Sequence, residues 1–414
     1  MERASLAEAL ARSLPTARKA TTGGAPLLFE SDQECFKSRF SHAVAGPGSV
    51  FLGNPAWSIA ERQAAEAITA MADKAPSGQG WLMIPTGGSS GGVRFARHDQ
   101  NTIDAAVHGF VRHFGLARVN ACGVLPLHHV SGLMAWMRCA LTGGEHVALD
   151  WKTLSTGELV SPPDRADGWV LSLVPTQLER LLSRTDSTEW LRRFRIIFLG
   201  GAPAWASLLD KAARASLPIS TGYGMTETAA MVTAVRPEEF QTGDRTSGKS
   251  LPHARVSLSG DGTITVTGES VFRGYYPDFS TSRTFATGDV GSLDESGRLR
   301  VLGRSDGAII TGGEKVFPAE VEAALRASNE FEEVAVIGLP HREWGSQVVA
   351  AFEAGRPPDL ASVQRHLDQS LARFKHPKKY VPVSPWPLDA SGKIRRAELE
   401  RRVREVLDVR TPDP

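Results

Sequence analysis

The chain has 414 residues, 47 Lys and Arg against 46 Asp and Glu, a formal net charge of +1 and 41% hydrophobic residues. Near-neutral charge gives no reason to expect nucleic acid as a partner, and no apolar run is long enough to span a bilayer, so no membrane is expected either. The length exceeds that at which a single core keeps growing, so two or more domains are expected.

The opening Met1-Glu-Arg-Ala-Ser-Leu6 has no basic-then-apolar leader layout. Cys35, Cys122 and Cys139 are too few and too irregularly spaced for a disulfide framework or a zinc site, so a cytoplasmic, reducing setting is expected. Before Trp81 the pattern predicts helical pieces at residues 6–14 and 59–72 around a Pro/Gly-rich centre. From Trp81 onward, apolar runs at residues 119–127, 147–151, 168–174 and 196–199 read as strands alternating with helical patterns. That alternation predicts an α/β fold of parallel sheets covered by helices. Beyond about residue 248 the texture changes to short strands and tight turns, with a hairpin at residues 256–266 turning at Gly260-Asp-Gly262. This predicts a small β-subdomain. Leu299-Arg-Val-Leu302 leads into Gly303-Arg304, where the boundary is placed: residues 1–304 as one domain, 305–414 as a small, mobile α+β domain. Pro318 opens an Ala/Glu-rich run and marks a helix start. No internal repeat is found. The basic residues Arg373, Lys375, Lys378 and Lys379 read as a solvated face or as ligands for cosubstrate phosphates.

Five motifs carry chemistry. Pro85-Thr-Gly-Gly-Ser-Ser-Gly-Gly-Val-Arg94 follows the apolar run at residues 81–84. A strand running into such a loop presents N–H groups and hydroxyls to phosphate oxygens. No Gly-Lys-Ser/Thr closes it, so it is not a Walker A loop. Ser220-Thr-Gly-Tyr-Gly-Met-Thr-Glu-Thr228 puts two glycines, an aromatic ring, hydroxyls and a carboxylate in one loop. Gly222 and Gly224 permit a positive φ or close approach to a ligand. Tyr223 can stack on a purine, Thr226 can bond phosphate, and Glu227 can ligate a hard cation. Thr287-Gly-Asp289 ends in a carboxylate suited to a ribose diol. Gly303-Arg-Ser-Asp-Gly-Ala-Ile-Ile-Thr-Gly-Gly-Glu314 and Ser391-Gly-Lys-Ile-Arg395 complete the series. Each alone reads equally well as a polar turn or linker; their order and spacing are what distinguish them.

In that order, from about Trp81 to about Leu399, these segments resemble the adenylate-forming superfamily of acyl-CoA synthetases, adenylation domains and luciferases. Pro126-Leu-His-His-Val-Ser-Gly-Leu133, continuing to Arg138, resembles the matching stretch of o-succinylbenzoate–CoA ligases of phylloquinone and menaquinone biosynthesis. The resemblance implies ATP, Mg²⁺ and coenzyme A, and a ligase that passes through an acyl-adenylate. It assigns pyrophosphate binding to Thr86, Gly87, Gly88, Ser89, Ser90 and Gly91, and phosphate and metal binding to Thr226 and Glu227. Asp289 and Arg304 take the ribose, and Gly200, Gly201 and Ala202 with Gly222, Tyr223 and Gly224 flank the adenine. Lys393 bridges the carboxylate and the α-phosphate. Asp306 is the hinge, and Gly312 and Gly313 line the pantetheine tunnel in a second pose. His129 sits at the reacting carboxylate, with Ser131 and Gly132 shaping the pocket floor. Arg138 is the candidate for a second, remote carboxylate; a helix-surface arginine is the competing reading.

The chain departs from the family pattern where Arg94 stands in place of the phosphate loop's usual lysine. It is also short before Trp81, which predicts a reduced N-terminal subdomain. A ligase for another aryl or aliphatic acid, transfer to a carrier-protein thiol, and a non-catalytic nucleotide-binding relative stay open as alternatives. The oligomeric state is open too, a homodimer included.

Overall fold

The computed structural model describes residues 2–14, 27–70, 80–87, 92–159, 168–388 and 394–410, with no side-chain description for 408–410. These residues form four sheets. In the first, strands Leu27–Phe29, Val50–Gly53 and Leu82–Gly87 run parallel, and Val93–His98 turns back antiparallel along the last.

The second sheet places His146–Ala148, Asn120–Gly123, Trp169–Leu173, Ile196–Leu199 and Ile219–Met225 side by side and parallel. Strands Ala230–Ala234 and Lys249–Ser250 extend it antiparallel. Its central strand Ile196–Leu199 is apolar at every position because both faces are covered. Val170, Ile196 and Phe198 pack against Phe110, Phe114 and Cys139 on helices Gln100–Phe114 and Val130–Thr142. The alternate residues Leu171, Ile197 and Leu199 pack against Leu178, Leu181 and Leu208 on helices Pro175–Leu182 and Ala206–Arg214.

The third sheet is an antiparallel meander of Ala254–Leu258, Thr263–Gly268, Thr284–Leu293 and Leu299–Arg304. In the fourth, Glu314–Val316, Ile309–Thr311, Gly345–Glu353 and Val334–His341 are antiparallel, and Lys379–Val383 runs parallel to Gly345–Glu353. Helices Pro318–Ala327 and Leu360–Ser370 cover one of its faces and Arg396–Arg410 the other. Pro318 occupies the first turn of its helix, as its fixed φ favours.

One sequence expectation fails here. Residues 147–151 do not continue as a strand, because the Asp150 carboxylate caps the amides of Lys152 and Thr153 and starts the helix Trp151–Thr156. A side-chain cap of this kind outcompetes strand propensity in a short run.

Helix Pro318–Ala327 lies on strand Leu299–Arg304 and on helix Ala206–Arg214, and the Arg326 guanidinium stands 5.5 Å over the Trp205 ring. Beside this contact is a cavity of about 270 Å³ lined by Gly201, Ala202 and Pro203 on one side and Ala323, Ile394 and Arg396 on the other. Among the described residues no helix is long and apolar enough to cross a membrane.

Candidate active site

The nucleotide motif is a strand rather than a loop. Residues Ile219–Met225 pair with Ala230–Ala234 through a tight 3-10 turn, Thr226–Thr228. Neither Gly222 nor Gly224 has a positive φ. Their missing side chains answer the neighbouring strand: a Cβ on Gly222 would lie 2.6 Å from the Thr233 carbonyl oxygen, and one on Gly224 would strike the Ala230 carbonyl. The unusual backbone falls instead on Ala229 (φ 50°) and Ala230 (φ 78°). Two consecutive left-handed non-glycine residues are a local cost that the surrounding contacts must offset.

Those contacts are specific. His98 is fully buried and its Nε2–H donates to the Thr226 carbonyl oxygen at 2.8 Å. Burial lowers the His98 pKa to about 4, so the ring is neutral at pH 7. The Phe272 amide donates to the Glu227 carbonyl at 2.9 Å, and the Tyr275 hydroxyl donates to Glu227 Oε1 at 2.6 Å. Burial, reinforced by that carboxylate, pushes the Tyr275 phenol upward, which keeps it a donor.

The ribose candidates meet at the end of the third sheet. Asp289 and Arg304 are register partners, with Arg304 Nε 3.8 Å from Asp289 Oδ1. The Tyr223 hydroxyl donates to Asp289 Oδ2 at 2.6 Å, and the Asp289 amide donates to Thr287 Oγ1 at 3.1 Å. Burial raises the Asp289 pKa against the opposing effect of Tyr223 and Arg304. Arg304 also grips the proposed hinge, donating to Asp306 Oδ1 at 3.0 Å and Oδ2 at 2.9 Å, and it donates to the Thr287 carbonyl at 2.9 Å.

Of the phosphate-loop candidates, Thr86 and Gly87 end strand Leu82–Gly87, which pairs with Val93–His98; both strands lie against the turn Thr226–Thr228. Thr86 pairs across the hairpin with Arg94, and its Oγ1 is buried with no hydrogen-bond partner among the described residues. Gly88, Ser89, Ser90 and Gly91 lie outside the described residues, as does Lys393. Leu388 and Ile394, which flank the lysine motif, form an antiparallel bridge. Ile394 lines the same cavity as Gly201 and Ala202.

Of the candidates for acid binding, His129 stands at the N-cap of helix Val130–Thr142, its ring 4.4 Å from that of His128. His128 is buried, and burial lowers its pKa to about 3. Ser131 is exposed. Gly132 is buried where a Cβ would meet the Leu125 carbonyl oxygen at 2.6 Å, so the helix crosses over the preceding chain there. Arg138 is not a helix-surface residue: it is only 5% exposed, its guanidinium lies 3.9 Å over the Phe110 ring, and its Nε has no hydrogen-bond partner among the described residues. Burial lowers its pKa to about 10, leaving it charged at pH 7.

In the fourth sheet, Gly312 (φ 58°) and Gly313 (φ 84°) form the tip of the hairpin Ile309–Val316, and the Gly312 amide donates to the Trp344 carbonyl at 3.0 Å. Of the basic cluster, Lys375 is paired with Glu320 at 2.6 Å, while Lys378 lies 5.7 Å over Trp344.

Among the described residues, no group of three or more His, Cys, Asp or Glu side chains could hold an ion unaided. One carboxylate, Glu227, beside the unpartnered Thr86 hydroxyl and a candidate phosphate hairpin suits Mg²⁺, which binds through one or two carboxylates plus substrate phosphates. Tyr275 and His98 were missed in the sequence. Both act through tertiary pairing, Tyr275 by a bridge to Ala96, and nothing local marks them.

The model of the AMP-binding enzyme family matches residues 14–276, and that of the AMP-binding enzyme C-terminal domain matches residues 320–393. The 2-succinylbenzoate–CoA ligase of Listeria monocytogenes serotype 4b (strain F2365) is 35% identical over 294 residues, covering 68% of this chain and 61% of the relative. The indoleacetate–CoA ligase of Aromatoleum aromaticum is 31% identical over 342 residues, covering 78% and 67%. The chain thus spans about 60% of the length of the 2-succinylbenzoate–CoA ligases it matches. The fold is that of o-succinylbenzoate CoA synthetase from Bacillus subtilis in complex with its acyl-adenylate intermediate, with a TM-score of 0.77 at 23% identity over 96% of this chain and 91% of that one. With a family match over more than half its length, the chain belongs to the AMP-binding enzymes.

Proposed function

We propose that the chain is an ATP-dependent acid–CoA ligase whose acid is 2-succinylbenzoate, acting in cytoplasmic menaquinone or phylloquinone synthesis. One observation carries the ligase reading: the hairpin strands Leu82–Gly87 and Val93–His98 lie against the turn Thr226–Thr228, and Tyr223, three residues before that turn, donates to Asp289 beside Arg304. A carboxylate is a poor electrophile, so the acid first attacks the α-phosphorus of ATP, releasing pyrophosphate, and the thiol of CoA then displaces AMP. Positioning and charge neutralisation dominate such transfers.

In this reading Asp289 and Arg304 hold the ribose, Gly200–Ala202 and Tyr223 flank the adenine, and Thr86 with the hairpin tip holds the departing phosphates. Thr226 and Glu227 hold phosphate and Mg²⁺, which when bound neutralises phosphate charge. Lys393 bridges the reacting groups in the first step, and His129 orients the acid at the end of its helix. The division at residue 304, with the fourth-sheet unit turning about Asp306 to bring Gly312 and Gly313 to the thiol, belongs to the same proposal.

Arg138 favours a dicarboxylic acid. A buried guanidinium without a carboxylate is costly, and the Phe110 face offsets only part of that cost. A second carboxylate on the substrate supplies the missing charge. The indoleacetate–CoA ligase relative supports a second reading, an aryl monocarboxylic acid. Pyrophosphate release with Mg-ATP, measured against 2-succinylbenzoate, indoleacetate, benzoate and a medium-chain fatty acid with and without CoA, separates them. Preference for 2-succinylbenzoate with a CoA thioester as product supports the first reading. Preference for a monocarboxylic acid rejects the substrate, and release with no acid in an ATP-binding protein rejects the ligase.

A further inference from the structure

We infer that Tyr275 is a positioning residue that couples two parts of the nucleotide site, using its hydroxyl to fix the Glu227 carboxylate and its ring to fix Arg94. The inference rests on the nucleotide reading above.

Segment 272–276 runs beside strand Val93–His98 as an added partner. Arg97 N–H donates to the Gly274 carbonyl at 3.0 Å, Tyr276 N–H to the Phe95 carbonyl at 2.8 Å, and Ala96 bridges Tyr275. Behind it, Arg273 Nε pairs with Asp99 Oδ2 at 2.8 Å, with both side chains largely buried. The phenol is therefore carried on a fixed backbone. From there its hydroxyl reaches Glu227 Oε1 at 2.6 Å, while Phe272 N–H holds the backbone carbonyl of the same glutamate. One carboxylate oxygen is thus occupied by a neutral donor, which restrains the rotamer, and the other oxygen is the one that would ligate a cation. A hydrogen bond from an uncharged group does this without neutralising the charge that the cation needs.

The ring faces the other way. Arg94 lies 4.5 Å over it and is exposed, at the foot of the phosphate hairpin. A flexible guanidinium resting on an aromatic face loses less freedom when it engages an anion than one in open solvent. The aromatic seat explains how arginine can serve at this position: a planar guanidinium stacks on a ring better than an ammonium does.

The two halves separate experimentally. Tyr275→Phe keeps the ring and removes the hydroxyl, whereas Tyr275→Leu removes both. Binding of Mn²⁺ to the protein with ATP present, followed by the loss of free-ion paramagnetic signal, reads the first function. Binding of ATP in excess chelator reads the second. We expect Tyr275→Phe to weaken Mn²⁺ binding about tenfold and leave metal-free ATP affinity unchanged. Tyr275→Leu and Arg94→Ala weaken metal-free ATP affinity about three- to tenfold, with Arg94→Lys intermediate. Melting of each variant without ligand accompanies these titrations, and an apo melt unchanged within a few degrees marks the loss as one of positioning. Equal Mn²⁺ affinity in wild type and Tyr275→Phe overturns the hydroxyl role, and equal metal-free affinity in Tyr275→Phe and Tyr275→Leu overturns the ring role. Wild-type protein that binds no ATP at all rejects the nucleotide reading instead.

Discussion

The two groups of candidate residues, those proposed for the nucleotide and those proposed for the acid, solve their electrostatics differently. On the nucleotide side the polar groups are largely paired within the protein: Tyr223 with Asp289, Arg304 with Asp306, Tyr275 with Glu227, His98 with Thr226. On the acid side, Arg138 is buried on Phe110 with an unpartnered Nε, and His128 is kept neutral by burial. The paired group has its hydrogen bonds in place without any ligand. If Arg138 meets the acid as proposed, the cost of its buried charge would fall only when the right anion enters, and that cost would become selectivity. A shared nucleotide needs a prebuilt frame, whereas choice among acids needs an unmet requirement.

Four experiments break or sharpen this contrast. The largest effect is expected outside both sides, at the lysine proposed to join them. Lys393→Ala should slow adenylate formation about a thousandfold, roughly 4 kcal/mol of barrier, while thiolysis of supplied acyl-adenylate continues. Equal loss of both half-reactions, measured separately, would contradict the assigned role.

The second concerns the frame. His98 has a folded pKa of about 4 against an ordinary 6.5. Above pH 6.5 neither state binds the proton. Below it the unfolded chain does and the fold does not, so stability falls between pH 6.5 and 4, by about 3 kcal/mol from this one group. Denaturant unfolding of wild type and His98→Gln at pH 7.5 and pH 4 should show the smaller pH loss in the variant. Parallel losses would sink the assignment.

Third, Arg138→Ala should raise KM for 2-succinylbenzoate about 10- to 100-fold and move KM for ATP less than about twofold. An unmoved acid KM removes Arg138 from the pocket. The smallest effect tests the cost itself. Arg138→Met, which trades a buried charge for an apolar chain against Phe110, should leave stability unchanged or raise it by about 1 kcal/mol. A loss beyond about 2 kcal/mol in thermal or denaturant melts would mean the guanidinium is already compensated.

Much of the frame was legible in the sequence. The strand Ile196–Leu199 and the hairpin around Gly260-Asp-Gly262 appear where periodicity and turn chemistry put them. The helix opened by Pro318 does so too. What local reading misses is long-range. Gly224 looks like a ligand-facing glycine until strand Ala230–Ala234 is laid beside it. Arg138 looks like a surface residue, or a ligand in waiting, until Phe110 is placed beneath it. Tyr275 carries no local mark, because its partners lie on strand Val93–His98 and in the turn Thr226–Thr228. The Asp150 cap was the exception, written in the sequence as an N-cap two residues before Lys152 and overlooked beside an apolar run.

The stack of Arg326 on Trp205 has a consequence in time rather than in structure. A cation–π contact of this separation is worth about 0.5–1 kcal/mol, little more than thermal energy. Breaking the stack therefore adds little to the barrier of the proposed turn about Asp306, whose rate would be set by the packing of helix Pro318–Ala327 on strand Leu299–Arg304 and helix Ala206–Arg214.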